Sequence, residues 1–449
     1  MESTDVIVIG AGLSGLQAAR SLQDEGITTI LLEARSRVGG KTWSITDSTG
    51  VADLGAEWLN DTTQPTVYHL VQKLGLECAA VQVQGEAVLH VDEKTVIRHV
   101  YGEQAPLPNG EEAVVTRMKA MLEEEYSKVD LTRCHDCEHD DITLEDFVRS
   151  RGRSAGTLAT VAVWTRVMLG CEPGELSAAS FLVYCQSQGG LMKMRSGKTQ
   201  GRYVTVRTGT QSIAEGLAAS LSPGSVRLNT AVQSMAQTSD GVTVYSAAGN
   251  GFQAKKVIVA FSSPLYRKIS FNPPLPTEKA RLVDSTALGC YTKVLASYSR
   301  PWWREKGLSG ASQSFVGPAA ATRDTSVPGG SFRLTGFLAG QPGREWSRWS
   351  AAERKAAFLA QLAIMFASDE AYQPTDYIEQ QWLHEEWSMG CPCPYTPPGV
   401  LSTVGACLTE PHGHVHFVGT ETAVQWKGYM EGALTSGIRG AQEVVKLLA

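Results

Sequence analysis

The sequence predicts an α/β fold: a Rossmann-type domain assembled from separate stretches of chain, with an α+β region inserted between them. Three observations predict it. "DVIVIGAGLSGLQAARSLQDEGITTILLEA", residues 5–34, reads as strand, glycine turn, helix and second strand. "GVTVYSAAGNGFQAKKVIVAF", residues 241–261, reads as a hairpin turning at "GNG" and running into a buried strand. "HVHFVGTET" and "GYMEGALTSGIRGAQEVVKLL" near the end read as a strand, a polar turn and a closing helix. The expected boundaries are therefore 1–78, 205–283 and 385–449 for the nucleotide-type domain, and 79–204 and 284–384 for the inserted, substrate-type domain.

Each element follows from its pattern. Val6 to Ile9 form the short apolar run of a parallel strand buried on both faces. Leu16, Ala19 and Leu22 recur at helical spacing, Gly26 ends that helix, and Ile30 to Leu32 begin the next strand. Residues 112–185 are predicted mostly helical, and 312–332, rich in Gly, Pro, Ala and Ser, as a loop. There is no repeat of domain-building length and no low-complexity tract.

Composition narrows the function. In 449 residues, 43% are apolar and 19% charged, as in an ordinary globular protein with a large core. A net charge of -6 without a basic stripe argues against a nucleic-acid partner. Nine scattered cysteines make no disulfide framework and point to a reducing, cytoplasmic setting. The start "MESTDVIVIG" has no signal pattern, and "VVKLLA" ends the chain without a hydrophobic tail. The longest apolar run, "TLATVAVWTRVMLGC", is broken by Arg166, so a soluble protein without a membrane span is expected.

Gly10, Gly12 and Gly15 make G-x-G-x-x-G between a strand and a helix. The first permits a tight turn, the second close approach of a pyrophosphate, and the third close packing of helix on strand. The helix N-terminus then offers free N–H groups to the phosphates. Glu33, at the end of the second strand, can accept from ribose hydroxyls and disfavours a 2′-phosphate, hence NADP. "ARSRVGGKTWS" follows, with Ala34, Arg35, the pair Gly39–Gly40, and Lys41 forming a second phosphate-facing loop.

At this loop the chain resembles the flavin-containing amine oxidases, and monoamine oxidases in particular. "VADLGAEWL", with Gly55, Ala56, Glu57 and Trp58, stands where that family covers its flavin. "FVGTETAVQWKGYMEGALTSGIRGA" is similar to its closing FAD motif almost residue for residue. The resemblance implies a monoamine oxidase-like fold and FAD as cofactor. It assigns Gly419, Thr420, Glu421, Gly428, Tyr429 and Met430 to FAD binding, with Val232 and Trp382. The closing helix, expected to begin within Gly428 to Ala433, would aim its N-terminus at the flavin pyrimidine and favour reduction.

The same resemblance implies the catalytic set. Lys293, on pattern alone a solvated strand lysine, matches the residue that holds a water beside flavin N5. Tyr429 matches one wall of an aromatic cage, whereas Pro392 stands where the other wall belongs. Trp387, Trp382 or a more distant aromatic is expected to compensate, and Gln200 to orient substrate. Cys391 lines up with the cysteine that carries FAD through a thioether, its alternative being a plain buried thiol. The family turns sharply after this cysteine at a cis peptide. Pro392 lowers the cost of that isomer from about 2.5–4 to about 0.5–1 kcal/mol.

Two other clusters read as structure. "CHDCEHDD", residues 134–141, has zinc-like ligands without a second pair, and reads as a surface loop before a helix capped by Thr143. "HGHVH" reads as a turn entering a strand.

The expected activity is oxidation of a primary amine, with long-chain or bulky aliphatic amines and amino alcohols favoured by the open cage at Pro392. The imine formed would hydrolyse to carbonyl product and ammonia, with O2 reduced to hydrogen peroxide. Expected partners are a small-molecule amine, O2 and a second copy in a homodimer. Amino-acid oxidases place an arginine where Trp58 stands, which weakens that alternative; Glu57 and Asp61 keep a polyamine oxidase open. A non-catalytic flavoprotein would need none of Lys293, Tyr429 and Cys391.

Overall fold

Strand Glu2–Ile9 lies inside an eight-stranded sheet, parallel to Thr29–Leu32 on one side and to Gly251–Val259 on the other. This computed structural model describes residues 1–449 except 48, 49, 82, 83, 153, 192–201 and 328. Val226–Arg227 and Val415–Phe417 extend the parallel set at its two sides. The strand 251–259 changes partners along its length. Its first half closes the predicted hairpin with Gly241–Ser246, and its second half pairs with Val415–Phe417. Segments from the start, middle and end of the chain thus share one sheet.

Burial explains the patterning. Val6 and Val8 pack with Leu16, Ala19 and Leu22 of helix Leu13–Asp24, and with Leu434, Ala441 and Val444 of the closing helix Met430–Leu448. Ile7 and Ile9 face the opposite core, beside Met235, Val244, Tyr266 and Phe417. The two helices touch closely, since a Cβ on Gly437 would lie 2.3 Å from the Ser14 carbonyl oxygen. The closing helix begins at Met430 and not at Gly428, whose φ of +85° is left-handed.

A second sheet of seven strands is built from residues 86–100 and 291–381. Its strand order is 376–381, 291–298, 332–339, 319–324, 308–314, 86–90, 96–100. One face packs under helix Ala351–Phe366, where Trp302, Trp303, Trp346 and Phe358 are buried. Residues 312–332, expected to be a loop, instead contain most of strand Leu308–Ser314's tip and all of Ala319–Asp324. The small residues that suggested a loop are there for packing: Ala319, Ala320 and Ala321 are buried between neighbours. Asp324 anchors the strand end by accepting from Trp303 Nε1 at 2.8 Å and Arg304 Nε at 2.6 Å. Sheet context has overridden local propensity.

The helical region resolves into Glu112–Ser127, Leu144–Ser150, Ala155–Leu169 and Ala178–Ser187. Thr143 caps the second by accepting from the Asp146 N–H at 3.0 Å. In the preceding segment the His139 ring meets Phe147 at 4.8 Å, tilted by 50°. Among the described residues no group of three His, Cys, Asp or Glu side chains is placed to hold a metal. No helix among them is long and apolar enough to cross a membrane.

Asp53 ends the hairpin Ser44–Asp47/Gly50–Asp53 and is buried. It accepts from Ser44 Oγ at 2.5 Å and from the Thr210 N–H at 2.9 Å, tying the hairpin to the start of helix Gln211–Ala219. Burial pushes its carboxyl up to about 6; the Glu57 charge adds to this and Lys293 opposes it. A raised carboxyl binds its proton more tightly in the folded chain, so its stabilising contribution fades as pH rises from about 4 through that value. Asp53→Asn keeps an acceptor and removes the titration. Its melting temperature relative to wild type should climb across that interval. A pH-independent difference would contradict the assignment.

Candidate active site

A cavity of about 580 Å³ runs between the two sheets, and most of the predicted site residues line it. At one end is the glycine turn. Gly10 has a φ of +103° and donates to the Leu32 carbonyl at 2.7 Å. Gly12 is the N-cap residue of helix Leu13–Asp24, and a Cβ there would meet nothing within 4 Å. Gly15 differs: its Cβ would stand 1.9 Å from the Gly10 carbonyl oxygen, so its absence serves packing and not ligand approach. Glu33 is buried and accepts from the Ala11 N–H at 2.7 Å and the Arg35 N–H at 2.8 Å. One carboxylate therefore fixes both loops. A carboxylate has about four acceptor positions, so capacity for ribose hydroxyls remains.

The second loop lies across the first. Gly39 N–H donates to the Ala11 carbonyl at 2.8 Å, and Gly39 and Gly40 have φ of +105° and +59°. Arg35 pairs with Glu385 and donates to Ser388 Oγ at 3.0 Å. Lys41 Nζ donates to the Pro392 carbonyl at 3.1 Å, linking the phosphate-type loop to the cysteine turn. Open space over Gly12, a helix N-terminus, a buried acid and flanking cations suit a dinucleotide such as FAD. Ala34 and Val232 do not line the cavity; their segments are joined by Thr230 N–H donating to the Glu33 carbonyl at 2.7 Å.

The other end is organised by Lys293. It is 2% exposed, and its Nζ donates to Glu57 Oε2 at 2.5 Å and to the Gly55 carbonyl at 3.2 Å. The solvated reading of this lysine is thereby excluded. The strip carrying its partners is clamped: Ala56 N–H donates to the Lys41 carbonyl at 3.0 Å, and Thr210 Oγ1 donates to the Ala56 carbonyl at 2.6 Å. Gly55 cannot carry a side chain, because a Cβ would lie 1.9 Å from the Lys41 carbonyl oxygen. Trp58 presents its ring 5.5 Å from Lys293 Nζ. Trp382 Nε1 donates to the Leu54 carbonyl at 3.0 Å.

Gly419, Thr420, Glu421 and Gly428 also line the cavity, as do Met430 and Tyr429 at the closing helix. Glu421 is buried, which raises its carboxyl, and it accepts from the Ser263 N–H at 2.9 Å. Thr420 Oγ1 donates to the Tyr429 carbonyl at 2.9 Å. Two rings flank Tyr429: Tyr184 at 6.5 Å and 30°, and Trp426 at 5.1 Å and 76°. In sequence Tyr184 reads as one more apolar position of a helix. Trp382 instead contacts Trp43, and Trp387 stands under Lys268 toward the Arg35–Glu385 end. Gln200 lies outside the described residues.

Cys391 lines the cavity and Cys393 does not. The Cys391–Pro392 peptide is cis. Burial raises the Cys391 thiol, with Lys41 and Lys293 pulling it back, whereas burial and the Glu421 charge push Cys393 up to about 12. Cys393 packs against Gly428, whose Cβ would sit 3.2 Å from its own.

Known proteins resemble the chain over nearly its whole length. The family described as flavin containing amine oxidoreductase matches residues 13–445. A flavin-containing amine oxidase of Danio rerio is 34% identical over 455 residues, covering 98% of this chain and 85% of that protein. Cyclohexylamine oxidase from Brevibacterium oxydans superposes with a TM-score of 0.93 at 29% identity, covering 99% of both chains. Wild-type putrescine oxidase bound to putrescine does so with a TM-score of 0.93 at 26% identity, again over 99% of each chain. A match that runs from the glycine turn into the closing helix leaves one conclusion: the chain belongs to the flavin-containing amine oxidoreductase family and is a flavin-dependent amine oxidase.

Proposed function

We propose that this enzyme oxidises long-chain or bulky aliphatic primary amines, amino alcohols included, with FAD bonded to Cys391. The amine becomes an imine, which water hydrolyses to a carbonyl compound and ammonia. FAD bound in the cradle supplies the two-electron acceptor for the substrate's hydride equivalent, and O2 takes those electrons to give hydrogen peroxide. The observation that carries the reading is Lys293, a buried ammonium held by Glu57 and Gly55 in the cavity wall. An ammonium has three donors, so two fixed acceptors leave one N–H for a water.

Each remaining residue has a task in this reading. Gly10, Gly12, Glu33, Arg35 and Lys41 hold the dinucleotide. Tyr429, backed by Tyr184, orients the amine nitrogen, with Gln200 assisting, whereas Trp387 stands nearer the dinucleotide end. The apolar, aromatic walls favour the uncharged amine, whose lone pair hydride departure requires. Glu57 already pairs with Lys293 and Asp61 with Arg202, at 2.5 and 3.2 Å, so each acid named for a polyamine already carries one cation. The segments 1–78, 205–283 and 385–449 would form the FAD domain, and the rest the substrate domain.

Purified protein should show an oxidised-flavin spectrum that primary amines bleach without oxygen, with peroxide formed when air is admitted. Octylamine should exceed benzylamine in kcat/KM by about tenfold, which is about 1.4 kcal/mol of transition-state binding. The reverse order would refute the open-cage account of Pro392, and absence of any amine-dependent bleaching would refute amine oxidation. For the bond to FAD, acid precipitation should leave yellow colour in the pellet. Cys391→Ala should move it to the supernatant, and Cys393→Ala should not. Quantitative release from wild type would exclude the bond.

A further inference from the structure

The cavity face of the second sheet carries a cation apart from Lys293 and the Arg35–Lys41 loop. Arg323 lies on strand Ala319–Asp324, part-buried, and lines the cavity. Its Nη1 donates to the carbonyls of Thr322 at 2.7 Å and Ser312 at 3.4 Å. Among the described residues no carboxylate pairs with it. These bonds use Nη1 alone, so the Nε–Nη2 edge, the fork that grips a carboxylate with two parallel bonds, has no partner among these contacts. Gln313, in register opposite Ala321, lines the same wall and offers a second donor. The neighbouring wall is apolar: Ala321 and Phe337 pair across the strands, and Phe337 packs on Trp58 at 5.7 Å. A guanidinium beside such a wall gains more from a carboxylate than one in open water would.

We propose that Arg323, with Gln313, binds a carboxylate at the far end of the amine substrate, so that ω-amino carboxylates are preferred. Lys293 pairs with Phe337, Phe337 with Ala321, and Arg323 is two residues further along. Two strand spacings and two residue rises put the Arg323 and Lys293 Cα atoms about 12 Å apart. A carboxylate on the reacting carbon, as in an α-amino acid, sits beside the Lys293 end and leaves this gap unspanned. A carboxylate separated from the amine by several methylenes closes it, with the methylenes against Phe337 and Ala321.

The inference rests on the amine-oxidase reading for its substrate, and the test separates the two. In wild type, kcat/KM for ε-aminocaproate should exceed that for hexylamine by about tenfold or more, as expected for a charge-assisted bidentate contact. Arg323→Met should bring the ratio to one or below, and Arg323→Lys should restore part of it. Independently of turnover, hexanoate should perturb the bound flavin spectrum at concentrations where hexanol does not, and Arg323→Met should abolish this. Hexanoate binding that needs Arg323, with no amine oxidised, would keep the carboxylate site and refute the reaction. Hexylamine preferred in wild type, hexanoate binding no tighter than hexanol, or a ratio indifferent to Arg323→Met would overturn the proposal.

Discussion

The ion pair between Lys293 and Glu57 is the contact on which the site depends. Its side chains are 3% and 8% exposed, and it joins a strand of the second sheet to the strip that closes over the first. Removing one partner of such a pair leaves a buried charge uncompensated, typically about 3–5 kcal/mol. Replacing both with apolar residues could hold the sheets equally well, so stability alone does not explain a lysine here. What an apolar pair could not do is present a fixed N–H donor to the cavity.

A second linkage runs from phosphate-type loop to cysteine turn. Lys41 reaches the Pro392 carbonyl, while the neighbouring Gly39 is bonded to Ala11 in the glycine turn. Three stretches far apart in sequence are thus set against one another by two bonds. The same lysine lowers the cost of a thiolate at Cys391, against burial that raises it. Binding geometry and thiol chemistry share a residue.

How much was legible follows the range of the interactions. The βαβ opening, the 241–259 hairpin, the capped helix after Thr143 and the closing helix are local patterns, and all form where expected. In residues 312–332 the local propensity of alanine and glycine points to a loop, and the buried sheet that selects them is not visible in sequence. Lys293 had the same weakness: alternation on a strand cannot say which face is wet. Arg323 and Phe337 become neighbours of the site only through register across strands 291–298, 332–339 and 319–324, information that no single stretch carries. Tyr184 escaped for a related reason, since a helix position next to Tyr429 depends on how two distant helices meet.

The most direct measurement is rapid-mixing spectroscopy of Lys293→Met, following flavin reduction by an amine and reoxidation by O2 separately, alongside FAD content. If Lys293 presents a donor to the reacting centre, at least one of the two rates should fall by about a hundredfold or more, within the range for loss of a positioned proton-transfer or electrostatic group, while bound FAD stays near the wild-type level. Unchanged rates for both half-reactions, or loss of activity only in proportion to lost FAD, would contradict it and leave the lysine as a structural clamp between the sheets.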